Sequence, residues 1–343
     1  MVGNMGNKRF GEELEDVLRE MGLFCVLKNV IDNELTTKYE FELQNLKDFQ
    51  KLSKATKIIS LCYHKDVKLA ESETTHFAME IKKQQVILNS TKYQAESKKR
   101  KIILGLDNNG ERVIFDINRA IHTLVAGATG MGKTNIVNNI LYSLIENYTT
   151  KELQIYLIDM KKTLSIWEDA PQIVSKTAKT PTTALLTLKS ISMIIDERLE
   201  KLSKQKKAVA DETSFPRIVV VIDELADLML SGLKPYIEDY IVHIAQIGRA
   251  VNVSLIIATQ SPIAKVCTNL IKANCPTVIA LKTVSIPTSR VILDNKNAFE
   301  LSGVGDCIIR NADYPNEKHF KALYLDESDI INFVKEKKDG VIQ

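Results

Sequence analysis

Residues 127–134 carry the residue types and the spacing that bind phosphate groups. They read Gly-Ala-Thr-Gly-Met-Gly-Lys-Thr and match GxxxxGK[ST] at every fixed position. Glycines let backbone N–H groups turn inward around phosphate oxygens, and the helix that follows adds its dipole. In such a loop the lysine reaches the β- and γ-phosphates, and the final threonine offers a hydroxyl to Mg²⁺. The sequence therefore predicts an ATP and Mg²⁺ site whose loop residues are Gly127, Ala128, Thr129, Gly130, Met131, Gly132, Lys133 and Thr134.

A glycine-rich turn that merely precedes a helix is the alternative interpretation of this loop. The flanking sequence disfavours it, because an apolar, strand-like run (Leu124 to Ala126) comes before the loop and NIVNNIL follows it. Strand, glycine-rich loop and helix in this order are the context that the phosphate-binding motif requires.

Two adjacent carboxylates follow the apolar run in IVVVIDEL. Asp223 comes directly after Ile222, and a carboxylate at this place is expected to hold Mg²⁺ through the water shell of the metal. Glu224 is then placed to orient and deprotonate the attacking water as a general base. The alternative role for Glu224 is an acidic residue that stabilises the N-terminus of a helix. Beside a complete phosphate loop, the pair predicts hydrolysis of ATP as well as its binding.

Gln260 follows a further strand-like run, SLIIAT. Ligands bind at the carboxyl ends of the strands in open α/β sheets. We therefore expect the Gln260 amide to sense the γ-phosphate or to position the attacking water, although a cap at the end of the strand is the alternative.

The elements that must position these residues indicate an α/β fold. Apolar strand-like runs recur as HTLVAG, LQIYLID, RIVVVID, VSLIIAT, TVIALK and DCIIR. Amphipathic stretches such as TNIVNNILYSLIEN separate the first five of them. Buried strands that alternate with helices predict a mainly parallel central sheet with helices on both faces.

Residues 1–95 predict a separate, small α+β domain. Apolar residues at helical spacing predict an amphipathic helix over residues 9–22. The pieces FCVLKNVI, YEFELQ, IISLCYH and QQVILNS are strand-like, and LKDFQKLSKATK favours a helix among them. The polar, basic segment 96–101 is predicted to be a linker, and residues 102–343 are predicted to form the second domain.

Bulk composition excludes some classes of protein and leaves others open. The chain has 343 residues with 46 basic and 43 acidic side chains, and its net charge of +3 neither demands nor forbids a nucleic-acid partner. Five scattered cysteines without a CxxC motif are typical of reduced thiols. No apolar run reaches the roughly 18 residues that span a bilayer. We therefore predict a cytoplasmic chain without a transmembrane segment.

Several sequence blocks resemble the motor of the FtsK/SpoIIIE family. HTLVAGATGMGKTNIVNNIL, IVVVIDELADLM, AQIGRAVNVSLIIATQSP, LIKANCPTVIAL, TSRVILD and LSGVGDCIIR occur in the order of that family over residues 103–325. The resemblance implies a RecA-like P-loop ATPase fold, a hexameric ring and ATP-driven movement of double-stranded DNA through the ring. It also implies that an arginine from the next subunit completes each ATP site. Arg249 is the first candidate for that arginine and Arg290 the second, with an ordinary arginine on a helix face as the alternative.

Lysines that follow the ATQ strand are the candidates for contact with DNA. Lys265 and Lys272 belong to the region around VCTNLIKAN, and Lys161 and Lys162 after LIDM are secondary candidates. Such lysines would contact phosphates and would therefore grip DNA without reading its sequence. The alternative is that they are solvated surface residues.

Three departures from the family pattern bear on the pathway. Ser261 stands where the family often has an arginine after ATQ, and the chain ends at Gln343 without a winged-helix module. No membrane segment precedes the motor. Ser261 removes one possible contact, whereas the two absences disfavour chromosome segregation. They favour a translocase of plasmid or mobile-element DNA transfer, or a phage or plasmid version of the motor, with a membrane-anchored partner that this chain does not encode. A shortened form of a longer protein is the alternative.

Two other functions stay open at this point. A protein-secretion ATPase of the type VII kind shares the fold family, but such motors usually carry several ATPase modules, whereas this chain has one phosphate loop. A regulatory module that binds nucleotide without hydrolysing it is the other alternative. Glu224 disfavours it, because a site that only binds has no use for a water-activating base.

Overall fold

A computed structural model describes most of the chain. The described residues are 2–45, 47, 49–63, 65, 67–70, 76–83, 87–90, 93, 96–211 and 213–342. Their contacts divide the chain into two compact units, Met1–Ile87 with Leu106–Glu111, and Leu88–Gly105 with Arg112–Gln343. The predicted boundary and linker at residues 96–101 stay a prediction.

The first unit contains a four-stranded antiparallel sheet and two helices. Its elements are α1 (Val2–Glu20), β1 (Cys25–Asp32), β2 (Thr36–Leu43), α2 (Phe49–Tyr63), β3 (Val67–Ala70) and β4 (His76–Lys82). The strand order is β1-β2-β4-β3, and every pair is antiparallel. Leu14, Phe41 and Phe77 are fully enclosed in the core of this unit. The helix predicted over residues 9–22 is present as part of α1.

One strand prediction in the first unit is wrong. IISLCYH is predicted as a strand, but residues 58–63 are the last turns of α2, and residue 64 lies outside the described residues. Leu52, Ala55 and Ile59 are buried at intervals of three and four residues, which is the period of a helix. A short apolar run does not by itself distinguish a strand from a buried helical turn.

The second unit is built on a large mixed sheet. Its strands are β5 (Leu88–Asn89), β6 (Lys101–Leu106), β7 (Arg112–Asp116), β8 (His122–Ala126), β9 (Leu153–Ile158), β10 (Arg217–Ile222), β11 (Val253–Thr259), β12 (Thr277–Leu281), β13 (Asp306–Arg310) and β14 (Lys318–Tyr324). They follow the order β7-β6-β14-β13-β12-β8-β11-β10-β9, with β5 beside β14. Strands β12, β8, β11, β10 and β9 pair in parallel, whereas β13 is antiparallel to both of its neighbours. The predicted α/β class with a mainly parallel central sheet is confirmed.

Helices cover both faces of this sheet. They are α3 (Lys133–Asn147), α4 (Pro181–Lys204), α5 (Leu225–Met229), α6 (Lys234–Ile247), α7 (Asn269–Asn274), α8 (Ile286–Leu293), α9 (Asn297–Glu300) and α10 (Glu327–Ile342). Side chains of β10 alternate between the two faces. Val220 and Ile222 pack in the core with α4 and α6, whereas Val219 and Val221 pack in the core with α3. Among the described helices, none has both the length and the apolar character needed to cross a membrane.

Candidate nucleotide site

The phosphate loop joins the carboxyl end of β8 to the first turn of α3. Gly130 and Gly132 have φ angles of 76° and 101°, a left-handed conformation that glycine adopts without steric cost. A Cβ atom at Gly130 would meet no other atom within 4 Å. The space beside Gly130 is therefore open, which leaves room for a phosphate group to approach the backbone there.

Neighbouring strands hold the start of this loop. The Gly127 N–H donates to the Thr259 carbonyl at 3.3 Å, and the Ala128 N–H donates to the Lys282 carbonyl at 2.8 Å. A Cβ atom at Gly127 would lie 2.7 Å from the Cβ atom of Leu281. Only glycine allows the loop to pass this close to the end of β12.

Lys133 is the first residue of α3, and its side chain folds back over the loop. Its Nζ atom donates to the Ala128 carbonyl at 2.9 Å, and the residue is 5% exposed. Burial lowers the pKa of Lys133 to about 8, although Glu224 and Asp223 act to raise it. A bound polyphosphate would supply further negative charge here and so favour the ammonium form.

Asp223 lies at the carboxyl end of β10 and is 5% exposed. Its Oδ2 atom accepts a hydrogen bond from Thr163 Oγ1 at 2.6 Å. Burial raises the pKa of Asp223, and the hydrogen bond from Thr163 acts in the opposite direction. A buried carboxylate with a raised pKa is stabilised in its charged form when a cation binds beside it.

Glu224 accepts hydrogen bonds on both carboxylate oxygens. Its Oε1 atom accepts from Thr259 Oγ1 at 2.8 Å and from the N–H groups of Gln260 and Ala226, each at 3.2 Å. Its Oε2 atom accepts from the Gln260 N–H at 3.1 Å and from Lys161 Nζ at 3.2 Å. Because Glu224 is also the N-cap of α5, the helix-end role considered from the sequence is realised alongside its place at the site.

Gln260 links the phosphate loop to Glu224. Its Oε1 atom accepts from Thr129 Oγ1 at 2.7 Å, while its N–H donates to the Glu224 carboxylate. The structure thus brings Gln260 to the edge of the sheet where the sequence predicts it. Its action on the γ-phosphate or on the water stays a prediction.

Asp159 is a site residue that the sequence patterns did not single out. It follows β9, is 1% exposed, and accepts from the Lys161 N–H at 3.1 Å and from the Leu164 N–H at 2.7 Å. In the turn that Asp159 holds, Thr163 donates a hydrogen bond to Asp223 and Lys161 donates one to Glu224. The signal was present in LQIYLID, which ends in an aspartate after an apolar run as RIVVVID does.

The residues present fit a magnesium ion that is shared with a nucleotide. Within the described ranges, no group of three or more His, Cys, Asp or Glu side chains could hold a metal ion on its own. Mg²⁺ usually keeps several waters and takes one or two carboxylates together with substrate phosphates. Asp223 and the half-buried Thr134 are the residues that would complete such a shell.

Arg249 lies at the amino end of strand β11, whereas the phosphate loop lies at the carboxyl ends of the parallel strands. It belongs to a short 3₁₀ helix, Gly248–Val251, directly before β11, whereas Gln260 directly follows β11. Seven strand residues separate the two ends, a distance of roughly 20 Å. Arg249 is exposed and lines a small pocket with the buried residues Arg217 and Ser254. Its side chain cannot span that distance to the phosphate loop of its own chain.

The remaining predicted residues lie on the surface of the second unit. Arg290 is exposed on α8, and Lys265 is exposed in the segment before α7. Lys272 lies in α7, where its Nζ atom is 3.3 Å from Asp294 Oδ1 and its side chain is 22% exposed. A DNA phosphate would therefore have to compete with Asp294 for Lys272, and the DNA contacts stay predictions.

Curated relatives of this chain are DNA translocases. The chain is 32% identical over 272 residues to DNA translocase FtsK of Clostridium tetani, which covers 75% of this chain and 36% of the relative. It is 28% identical over 355 residues to DNA translocase FtsK of Tropheryma whipplei, which covers 96% of this chain and 48% of the relative. The chain thus spans about a third to about half of the length of these relatives.

Solved structures share the fold. The pCW3 conjugation coupling protein TcpA, in its monomer form with ATPγS, has a TM-score of 0.67 and 21% identity, over 95% of this chain and 99% of that chain. The cytoplasmic domain of the type VII secretion ATPase EccC from Thermomonospora curvata has a TM-score of 0.61 and 24% identity, over 70% of this chain and 31% of that chain. The model of the FtsK/SpoIIIE family matches residues 85–213 and 206–264. Because this span exceeds half of the 343 residues and includes the phosphate loop and both carboxylates, the chain belongs to the FtsK/SpoIIIE family.

Proposed function

We propose that this chain hydrolyses ATP and uses the free energy to move double-stranded DNA. The observation that carries the hydrolytic part is the position of Glu224, a buried carboxylate that Gln260 connects to the phosphate loop. A carboxylate held this close to a phosphate site can take a proton from a water that attacks the γ-phosphate. Binding of nucleotide alone would not require it.

The roles of the other residues follow from their places in the site. The glycine loop would hold the phosphates by its N–H groups, and Lys133 would neutralise charge on the β- and γ-phosphates. Asp223 and Thr134 would hold Mg²⁺, which when bound supplies positive charge to the phosphate oxygens. Gln260, which contacts Thr129 of the loop, would orient the attacking water.

The place of Arg249 supports action between subunits. Since it lies at the far edge of the sheet from its own phosphate loop, it would act on the nucleotide of a neighbouring copy. A delocalised cation at that position would stabilise the charge that develops on the transferred phosphoryl group. This arrangement fits a closed ring with one site per interface, and we infer a hexamer from the family.

Double-stranded DNA is the substrate that the relatives favour. The curated relatives are named DNA translocases, and a structural neighbour over nearly the whole chain is a plasmid conjugation coupling protein. We therefore infer a cytoplasmic motor for the transfer of plasmid or mobile-element DNA, with a membrane-anchored partner outside this chain. Lys265 and Lys272 are the proposed contacts to its phosphates.

Comparing the ATPase rate with and without linear duplex DNA tests this function. We expect steady ATP hydrolysis that duplex DNA of any sequence stimulates, and no hydrolysis by a folded Lys133→Ala variant. Equal rates for that variant and the wild type would refute the ATPase. Hydrolysis that no duplex DNA alters, together with no DNA binding at low salt, would refute the translocase and favour a motor of the protein-secretion kind.

A further inference from the structure

The two carboxylate oxygens of Glu224 differ in how fully they are used. Oε1 accepts three hydrogen bonds, from Thr259 Oγ1, the Gln260 N–H and the Ala226 N–H, at 2.8 to 3.2 Å. A carboxylate oxygen offers two lone pairs, so Oε1 has no capacity left for a water. Oε2 shares the Gln260 N–H at 3.1 Å and accepts from one side chain, Lys161 Nζ at 3.2 Å. The oxygen that can receive a proton from water is therefore Oε2, and Lys161 contacts it.

Lys161 has a second acceptor within reach. Its Nζ atom is 4.0 Å from Asp227 Oδ2, and the side chain of Lys161 is 41% exposed. Asp227 lies in α5, three residues after Glu224, so both carboxylates are on the same side of that short helix. The Glu224 side chain is 3% exposed and the Asp227 side chain 33%. A small rotation about the side-chain bonds of Lys161 would exchange the buried carboxylate of Glu224 for the more exposed carboxylate of Asp227.

The turn that carries Lys161 is fixed at both of its ends. Asp159 accepts the Lys161 N–H at 3.1 Å and the Leu164 N–H at 2.7 Å. Thr163 Oγ1, within the same turn, donates to Asp223 Oδ2 at 2.6 Å. Asp159 thus holds the backbone of Lys161, while the long side chain of Lys161 can contact either Glu224 or Asp227.

We propose that Lys161 is a positioning residue that restrains the catalytic carboxylate by binding Glu224 Oε2, and that moving to Asp227 releases this oxygen for the attacking water. The inference rests on the proposed ATPase function and deepens it. While Lys161 binds Oε2, it occupies a lone pair that the attacking water needs. Release leaves Glu224 in the same place, held by the three bonds to Oε1 and by the Gln260 N–H shared with Oε2, and frees one lone pair of Oε2.

Single-turnover hydrolysis of ATP without DNA tests the restraint. The Lys161→Met variant is expected to hydrolyse about fivefold faster than the wild type, which corresponds to the loss of a half-exposed ion pair of about 1 kcal/mol. Asp227→Asn removes the negative charge of the second partner while keeping an acceptor oxygen, and it should slow hydrolysis by a similar factor. Lys161→Arg keeps the cation and should restore the wild-type rate. Lys189→Met, an equal loss of charge on the exposed face of α4, is the control and should change nothing.

Two further measurements separate positioning from a general structural effect. The dissociation constant of a fluorescent ATP analogue should stay within twofold of wild type in Lys161→Met and Asp227→Asn. In a double-mutant cycle, the melting temperatures of the wild type, Lys161→Met, Glu224→Gln and the double variant are compared without nucleotide. If the two side chains interact, adding Lys161→Met should lower the melting temperature less in the Glu224→Gln background than in the wild type.

The outcomes distinguish this inference from the proposed function. If Glu224→Gln hydrolyses ATP as fast as the wild type, the assignment of the base fails and the inference fails with it. If Glu224→Gln is slow but Lys161→Met is unchanged or slower than wild type, the inference alone is overturned. Additive melting temperatures in the cycle, or an equal acceleration by Lys189→Met, would overturn it as well.

Discussion

Thr129 Oγ1 donates to Gln260 Oε1 at 2.7 Å across a separation of 131 residues. The contact joins the middle of the phosphate loop to the residue that follows β11. The same Gln260 donates its N–H to both oxygens of Glu224. One residue therefore sets the distance between the phosphate loop and the proposed base.

Gln260→Ala is expected to slow hydrolysis while leaving ATP bound. The backbone N–H that holds Glu224 survives the substitution, but the amide that faces the loop does not. Loss of orientation of the attacking water should lower kcat by up to about 10²-fold, with little change in KM. Steady-state kinetics at several ATP concentrations would measure both constants. A rise in KM at constant kcat would instead assign Gln260 to binding.

Glu224→Gln separates binding from chemistry. Glutamine keeps the shape and one acceptor oxygen for Thr259, so the fold of the site should persist. Loss of a general base typically costs about 10²–10⁴-fold in rate. Calorimetry with ATP and Mg²⁺ should show wild-type affinity in the same protein. An equal loss of affinity would mean that Glu224 holds the metal rather than the water.

Arg249→Ala tests action between subunits. Each variant subunit should bind ATP normally, because the substitution lies at the other edge of the sheet from its own phosphate loop. Turnover should nevertheless fall, by about 10³-fold or more if Arg249 is a full arginine finger. Mixing inactive Arg249→Ala and Glu224→Gln subunits should restore part of the rate, because some interfaces then combine an intact site with an intact arginine. The same assay on Arg290→Ala would decide between the two arginines.

The salt dependence of DNA binding tests the two lysines. Each phosphate contact on duplex DNA contributes about −0.9 to the slope of log affinity against log salt. Lys265→Ala and Lys272→Ala should each make the slope shallower by about one unit and leave the DNA-free ATPase rate unchanged. Lys189→Ala provides the matched control. Because Lys272 pairs with Asp294, an unchanged slope for Lys272→Ala alone would show that this ion pair persists on DNA.

His122 predicts a specific sensitivity to acid. It is 3% exposed, burial lowers its pKa to about 4, and its Nδ1 atom accepts from the Leu255 N–H at 3.2 Å. The unfolded chain binds a proton below about pH 6.5, whereas the folded chain does not until about pH 4. The contribution of neutral His122 to the free energy of unfolding is therefore fully present above pH 6.5, and it is lost as the pH falls towards 4. The free energy of unfolding should fall between pH 7 and pH 4.5 by up to about 3 kcal/mol less in His122→Gln than in the wild type. Urea unfolding at the two pH values would measure this difference.

Sequence patterns located the main strand ends of the site but not all of the contacts between them. The phosphate loop, Asp223 and Gln260 each follow an apolar run, and carboxyl ends of parallel strands meet at one edge. The turn after β9 was harder to foresee, because its role depends on strand order and register. Ile158 pairs with Ile222, and this alignment places Asp159 beside Asp223. No feature of either segment alone encodes that pairing.

In the first unit, the spacing of apolar residues did not distinguish a helix from a strand at one segment. A run such as IISLCYH offers too few residues to separate a period of 2 from a period of 3.6. The helix that it belongs to is fixed by its partners, since Leu52 and Ile59 pack in one core with Phe77 of β4. Tertiary packing decided the local structure there.

Strand β11 has a further consequence for a ring of these subunits. All seven of its residues are buried, and the strand pairs in parallel with β8 on one side and β10 on the other. Its carboxyl end carries the residue that touches the subunit's own phosphate loop, and its amino end carries the arginine proposed for the neighbour's nucleotide. The strand therefore joins the two groups that are proposed to act on adjacent nucleotides. In the proposed ring, β11 would therefore connect neighbouring ATP sites, so that hydrolysis at one site would depend on the nucleotide bound at the next.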